Sequence, residues 1–194
     1  MFDPLPQTDR GQSGIGTLII FIAMVLVAAI AAGVFFDVTG SLRGSADETS
    51  RQSEAQVTSR LTVINTVGTD VTDTVDAIAI TVRRASGSGD IDVGSATVQW
   101  LGPSGAVDLS LGATADAARF SMRSAQDDDG SIADSDTLNH PSDRATLRFD
   151  AAAIGGGLPP GATATLRVTT ATGGTTTLHI VVPDPLSPTS SLAL

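Results

Sequence analysis

The chain has 194 residues, enough for one ordinary domain and an additional element, and it has no cysteine, which excludes disulfides and cysteine-bound metals. All 11 basic residues are arginine, 19 of the 21 acidic residues are aspartate, and the formal net charge is −10. We expect no nucleic-acid partner, because phosphate binding requires clustered basic residues and only Arg83 and Arg84 are adjacent.

An acidic surface without lysine is typical of adaptation to high salt. Surplus carboxylates repel one another and strain the compact state. Salt relieves this repulsion, because the Debye length shrinks to about 3 Å at 1 M ionic strength. The alternative is an ordinary acidic protein from a dilute environment, and the composition is compatible with both.

The first predicted element is an apolar helix. No side chain between residues 11 and 36 is charged. The densest part, residues 18–36, would extend over about 28 Å as a helix, which nearly matches a hydrocarbon core of about 30 Å. The segment is therefore predicted to be able to cross a membrane.

Three kinds of membrane segment fit this pattern. One is a removable secretory signal with a cleavage site at Ala29-Ile30-Ala31, but its leader has Asp3 and Asp9 against Arg10 and is not net positive. Another is a permanent single anchor. The third is a prepilin-type leader, which is cut before the apolar stretch so that the stretch stays in the mature protein. The abrupt junction after Arg10 favours the third.

The sequence GIGTLIIFIAMVLVAAIAAG at residues 14–33 closely resembles the N-terminus of archaeal flagellins, or archaellins. It covers about a tenth of the chain. The resemblance implies cleavage by a prepilin-type peptidase between Arg10 and Gly11, so that residues 1–10 are a leader. Bacterial pilins carry glutamate at the fifth mature position, whereas this chain has Ile15, as archaellins do.

The resemblance also implies a function. The chain would be a structural subunit, not an enzyme, that passes through the cytoplasmic membrane and polymerises with copies of itself into the extracellular archaeal flagellum. Its other partners would be the peptidase and a membrane assembly machinery, with no cofactor or metal. An adhesive pilin and a membrane-anchored β-sandwich surface or stator protein are the alternatives. The predicted assembly residues are those of the apolar helix: Leu18, Phe21, Met24, Leu26, Ala28, Ala29, Phe35 and Phe36.

The helix is predicted to continue from residue 11 to residue 66. Val38, Leu42, Val57, Leu61 and Ile64 recur at helical intervals, and the charged residues fall off their stripe. The alternative is a flexible linker rich in serine and threonine over residues 39–56.

Residues 70–194 are predicted to form an outer domain of β-structure. Apolar residues alternate with polar ones in several short runs, such as those around Ile80, Phe149 and Ile180. Gly173-Gly174 predicts a hairpin between the last two runs, and prolines end the final strand before a short apolar tail. The fold class is therefore α+β, with a long apolar helix followed by an antiparallel, immunoglobulin-like β-sandwich.

Few residues of this domain suggest a catalytic or metal-binding role. His140 and His179 have no catalytic motif around them, and Trp100 is expected to be a core residue. Residues 127–136 contain five aspartates and a glycine, but they lack the full spacing of a calcium loop, including its twelfth-position glutamate. We expect a solvated acidic loop there, and the alternative is that its oxygen ligands on a turn with glycine hold Ca²⁺. No N-x-S/T acceptor for a glycan is present.

Overall fold

The structure, a computed structural model, describes residues 8–194, with side chains from Gly14 onward. It divides into two compact units, one ending at Arg51 and the other spanning Gln52–Leu194. We call Gln52–Leu194 the outer unit. The leader residues 1–7 lie outside the described part of the chain. Arg10 and Gly11 fall within the first helix, and their side chains are outside the described set.

Helix α1 is continuous over Thr8–Thr58, a length of about 77 Å. The linker alternative for residues 39–56 is therefore wrong. Hydroxyl groups in that segment bond back onto the helix, as when Thr39 Oγ1 donates to the Phe35 carbonyl at 2.7 Å and Ser45 Oγ to the Ser41 carbonyl at 3.1 Å. These bonds satisfy the hydroxyl groups within the helix itself.

The helix ends eight residues before the predicted boundary at residue 66. Leu61 and Ile64 extend the helical spacing, but they lie in a strand instead, where Leu61 is buried. The segment that contains them, LTVINTV, is rich in β-branched residues, which lose rotamer freedom in a helix and pack well in a sheet. The outer domain therefore includes residues 61–69 as well as the predicted 70–194.

The rest of the chain forms eleven strands and two short helices. In chain order they are β1 (Leu61–Val71), β2 (Val75–Arg84), β3 (Ile91–Asp92), β4 (Thr97–Gly102), β5 (Gly105–Gly112), β6 (Arg119–Gln126), α2 (Ser131–Ser135), β7 (Thr137–Leu138), β8 (Arg144–Asp150), α3 (Ala151–Gly155), β9 (Thr163–Thr169), β10 (Thr175–Val181) and β11 (Thr189–Ala193).

Nine strands are hydrogen-bonded in the order β10-β9-β4-β5-β6-β8-β2-β1-β11, and β3 pairs with β7. Strand β5 joins two sheets, because its start pairs with β4 and its end with β6. The β5–β6 pairing is parallel and the other pairings are antiparallel, so the sandwich is mostly rather than wholly antiparallel. We call β11-β1-β2-β8-β6 the first sheet and β10-β9-β4 the second.

Aromatic residues from both sheets meet in the core. The Trp100 ring of the second sheet lies 6.4 Å from that of Phe149 in the first sheet, and Phe149 lies 5.7 Å from Phe120, centroid to centroid. All three side chains are buried, which confirms Trp100 as a core residue. Aromatic contacts of this kind add to the free energy of burying the rings.

The predicted hairpin at Gly173-Gly174 is confirmed between β9 and β10. Gly173 has φ of 88°, a left-handed conformation that glycine adopts without a steric penalty. A Cβ atom on Gly174 would collide with the Ser59 carbonyl, just past the end of α1. Thr170 Oγ1 donates to that same carbonyl at 3.1 Å, so this turn holds the chain where it leaves the helix.

The apolar C-terminal tail is a strand and not an extension without structure. Strand β11 pairs with β1 from Val67↔Ala193 to Val71↔Thr189, although three prolines separate it from β10. Its register covers only the second half of β1. A fragment that begins at residue 70 would lose β1 and, with it, the strand on which β11 pairs.

Salt is expected to stabilise the outer unit. The fragment Gln52–Leu194 should unfold at a temperature at least about 4 °C lower in dilute buffer than at 2–3 M salt, a shift that corresponds to roughly 1 kcal/mol in a domain of this size. The reason is repulsion among aspartates that only screening relieves. Circular dichroism during heating measures it, and equal unfolding temperatures in both buffers would remove the argument for salt adaptation.

Candidate functional site: the apolar helix and the acidic loop

The apolar part of α1 is exposed over its whole circumference. The large side chains among the predicted assembly residues are between 58% and 74% exposed, with Leu26 at the lower limit and Phe36 at the upper. Ala28 and Ala29 are exposed as well. A helix that is apolar on all sides is stable only in lipid or among other apolar helices. This surface therefore requires a covering that one chain does not provide.

One face of this helix has a groove suited to another helix. It is a shallow depression, open to solvent and lined by apolar side chains of α1 itself. The lining residues recur at intervals of three and four, which places them on a single face: Ile20, Ala23, Met24, Val27, Ala28 and Ala31. Its three alanines leave space into which the ridge of a neighbouring helix can pack. Ala28 lies within this groove.

The same segment has the length and composition of a membrane span. The candidate span is Gly14–Thr58, whose most apolar 18-residue window has a mean hydropathy of 3.0 and none of its residues buried. The apolar residues up to Phe36 make up its first half. The side chains of the groove therefore lie within the candidate span.

A second site lies where β6 leads into α2. Carboxylate oxygens of Asp127, Asp129 and Asp143 lie within 4.8 Å of one another. Asp127 accepts hydrogen bonds through Oδ2 from the backbone of Ile132 (3.1 Å) and Ala133 (3.2 Å). Its other oxygen is buried and has no hydrogen-bond partner among the described residues.

Asp143 repeats this arrangement from the opposite side. It is fully buried, and its Oδ2 accepts from the backbone N–H groups of Asn139 (3.0 Å) and His140 (2.7 Å). Its Oδ1 has no partner within the described part of the chain. An unpartnered buried carboxylate oxygen is costly, so two of them beside a third carboxylate fit the donor set of a divalent cation.

Asp129 completes the cluster from the exposed side of the loop. The Asn139 side-chain amide donates to it at 2.7 Å and the Ser131 backbone N–H at 3.2 Å, and these bonds lower the pKa of Asp129 from its ordinary 3.8 to about 2. Because the folded-state pKa is depressed, this carboxylate favours the folded loop fully above about pH 4 and loses that effect as pH falls through about 2.

The loop is solvated at Asp128, Asp129 and Asp134, as its sequence predicts, but it also contributes to the carboxylate cluster. Asp127 and Asp129 converge on a residue from outside residues 127–136, and Asp143 lies 14 positions beyond Asp129. The cluster therefore does not follow the continuous spacing of a calcium loop. The turn that places it, His140-Pro141-Ser142 before β8, is visible in the sequence, but the pairing with Asp127 depends on the fold.

The imidazole rings of the two histidines are not among the possible ligand groups of this cluster. His179 is exposed on β10, where its Nδ1 lies 3.0 Å from Thr165 Oγ1 on the neighbouring strand. His140 contributes its backbone N–H to Asp143, as described above. Both positions are explained by strand and loop structure.

Comparison with known proteins identifies the family. The model of the archaeal-type flagellin family matches residues 11–180. The chain is 38% identical to flagellin A2 of Haloferax volcanii over 213 residues, with 96% of each chain covered. It is 40% identical to flagellin B2 of Halobacterium salinarum over 201 residues, with all of both chains covered.

Two solved structures have the same fold. The flagellum of Methanospirillum hungatei strain JF1 matches with a TM-score of 0.67 at 18% identity, covering 89% of this chain and 95% of that one. The crystal structure of a flagellin from Methanocaldococcus jannaschii matches with a TM-score of 0.64 at 18% identity, covering 70% and 96%. With a family match over most of its length and relatives of at least 38% identity across almost the whole chain, this protein belongs to the archaeal-type flagellin family.

Proposed function

We propose that the chain is a structural subunit that polymerises through the apolar part of α1 into the archaeal flagellum, the filament that drives swimming. The observation that carries the proposal is the exposed apolar surface between Ile15 and Phe36. Family membership and the fold shared with an archaeal flagellum support it. Parallel copies of this segment would cover one another and form a water-free filament core, which requires no catalytic residue.

The outer unit has a complementary role in this proposal. A sandwich of acidic composition remains soluble in salt and presents its polar strand faces outward. Family membership favours a flagellin over the adhesive pilin and the anchored stator protein. Deletion of the gene should abolish swimming, whereas loss of surface adhesion with normal swimming would favour the pilin.

The proposed route to the filament passes through the membrane. A prepilin-type peptidase would remove residues 1–10, and the apolar helix would hold the mature subunit in the cytoplasmic membrane until the assembly machinery transfers it. The span-like length and hydropathy of the helix support a membrane-held precursor. Because lipid and filament core are both apolar, the helix can move between them without a change in its own structure.

Processing is tested by intact-mass measurement on shed filaments. The mature chain is expected to begin at Gly11, and the loss of Asp3, Asp9 and Arg10 changes the formal charge from −10 to −9. A chain that begins at Ala32 would instead show ordinary signal-peptidase release. A chain that retains Met1 would show a permanent anchor, and either result contradicts the prepilin-type leader.

We also propose that Asp127, Asp129 and Asp143 hold a calcium ion in the outer unit. Two oxygens bound to one Ca²⁺ at about 2.3–2.6 Å lie at most about 4.6–5.2 Å apart, a limit that the observed spacing satisfies. When bound, the ion would neutralise carboxylates and fix the loop that follows β6.

A further inference from the structure

The hairpin formed by β1 and β2 has charged groups only at its two ends. Its open end has Arg60, Arg83 and Arg84, and its turn has Asp70, Asp73 and Asp76. Residues 61–69 and 77–82 carry no charge. The two ends are about 25 Å apart along β2. One strand pair of the first sheet is therefore positive at one end and negative at the other.

The basic end is concave, and it has too few neighbouring carboxylates to pair with all of its arginines. Arg83 and Arg84 line a hollow of about 200 Å³ together with Pro141, and Arg60 lines a second of about 340 Å³ beside Thr175 and Thr177. Arg84 lies 3.8 Å from Asp90. For Arg60 and Arg83, the part of the chain with described side chains provides no carboxylate within ion-pair distance.

The acidic end is a turn that projects carboxylates. Asp73 is exposed at its tip, between two threonines. Asp70 pairs with Arg148 at 2.9 Å, and Asp76 accepts from Thr74 Oγ1 at 2.6 Å. With Asp90 and Arg148 included, the basic end has two net positive charges and the acidic end two net negative charges.

From this polarity we infer that the basic end of the β1–β2 hairpin binds the acidic turn of another copy of the chain. The inference rests on the proposed function, since it supplies a contact between outer units of one filament. An open filament is built from contacts that join two different surfaces of the same subunit. Salt screens the long-range repulsion of a chain of charge −10, whereas a partly buried pair between an arginine-lined hollow and an acidic turn is screened much less. Arginine is suited to such a contact because its planar donors match a carboxylate.

Charge reversal in the full chain tests the contact, in cells that make only the variant subunit. Asp73→Arg and Arg83→Glu should each give several-fold shorter or fewer filaments by electron microscopy, and a lower dissociation temperature of purified filaments at fixed salt. The double variant should restore both, because each contact then pairs a reversed turn with a reversed hollow. Arg119→Glu is the matched control, since Arg119 is exposed on β6 and lines neither hollow.

Each result decides the inference. Normal filaments from both single variants would overturn it, as would a double variant that is no better than the singles. Equal damage from Arg119→Glu would show a general intolerance of added negative charge and would also overturn it. Asp73 is exposed and its side chain makes no recorded hydrogen bond or ion pair, so Asp73→Arg keeps the test valid if Arg83→Glu does not fold. If the unaltered chain forms no filaments at all, it is the proposed function that fails.

Discussion

Subunits with Ala28→Asp are expected to be cut and held in the membrane but to form no filaments, and the cells are expected not to swim. Ala28 lies in the groove of α1 that offers small residues to a neighbouring helix. In a filament core a carboxylate at this position would have no water and no partner. The cost is several kcal/mol after relaxation unless the group takes up a proton.

Assembly should suffer more than membrane insertion from this substitution. An aspartate at the centre of a membrane helix costs roughly 2.5–3.5 kcal/mol on insertion scales. In a filament the same charge recurs in each subunit, so repulsion along the core adds to the cost of burial. Fractionation of cells, with an antibody against the outer unit, would show the variant in the membrane.

Two further variants serve as controls. Ile22→Leu keeps the apolar volume of the helix and should leave assembly intact. Thr163→Asp introduces the same charge at an exposed position of β9, outside the hollow that Arg60 and Thr177 line, and should also assemble at high salt. Electron microscopy and a swimming assay compare the three. Normal filaments from Ala28→Asp would mean that the apolar helix serves only for export, and the proposed mechanism of polymerisation would be wrong.

The strands that were predicted from the sequence are those whose inward residues are large and strictly alternate. Ile78, Ile80 and Val82 in β2 are all nearly inaccessible to solvent, and Leu147 and Phe149 in β8 fully so. Their polar neighbours point outward with a period of two residues, which a helix cannot reproduce. The secondary structure of such segments can be predicted from the sequence because the burial pattern and the local preference for a strand agree.

The boundary of the helix was not predictable in the same way. Leu61 and Ile64 continue the spacing of the residues before them, so a pattern of apolar positions extends the helix past Thr58. Pairing with β2 decides against this, with a bulge between Val63 and Asn65 that leaves Ile64 partly exposed. Strand β11 is similar, since Thr189–Ala193 is strand-like only because half of β1 is available to pair with it.

The acidic cluster shows why a site can remain hidden in a sequence. Asp127 and Asp129 are conspicuous, but a run of aspartates on a loop is more often solvated. The residue that changes the interpretation is Asp143, an isolated acid before β8 whose burial depends on the folded sheet. Each of its neighbours in sequence is ordinary for a turn, so local pattern contains no sign of a ligand.

Calcium is expected to raise the unfolding temperature of the outer unit. A ligand at one hundred times its dissociation constant adds about 2.7 kcal/mol of stability, which corresponds to roughly 5–10 °C in a domain of this size. Removal of calcium with a chelator should reverse the shift, and magnesium at the same concentration should replace it poorly. Calorimetry or circular dichroism on purified filaments measures the unfolding temperature in each condition.

The substitution Asp143→Asn distinguishes the effect of calcium binding from the effect of the hydrogen bonds that Asp143 accepts. Its amide oxygen can still accept from the backbone of Asn139 and His140, but the side chain loses the negative charge that a calcium ligand contributes. The variant should therefore keep the fold and lose the response to calcium. Asp128→Asn removes one charge from an exposed position in the same loop and should respond as the unaltered chain does.

The stability of Asp143→Asn relative to the unaltered chain, measured with and without calcium, distinguishes a cation site from a cluster of carboxylates that binds no ion. If no ion binds, Asp143→Asn relieves repulsion among three close carboxylates, and the variant should be more stable than the unaltered chain by the same amount in chelator and in calcium. If the ion binds, the variant should be the more stable one in chelator and the less stable one in calcium. A crossing of the two unfolding temperatures supports calcium, and parallel values in both buffers would show that Asp127, Asp129 and Asp143 form no cation site.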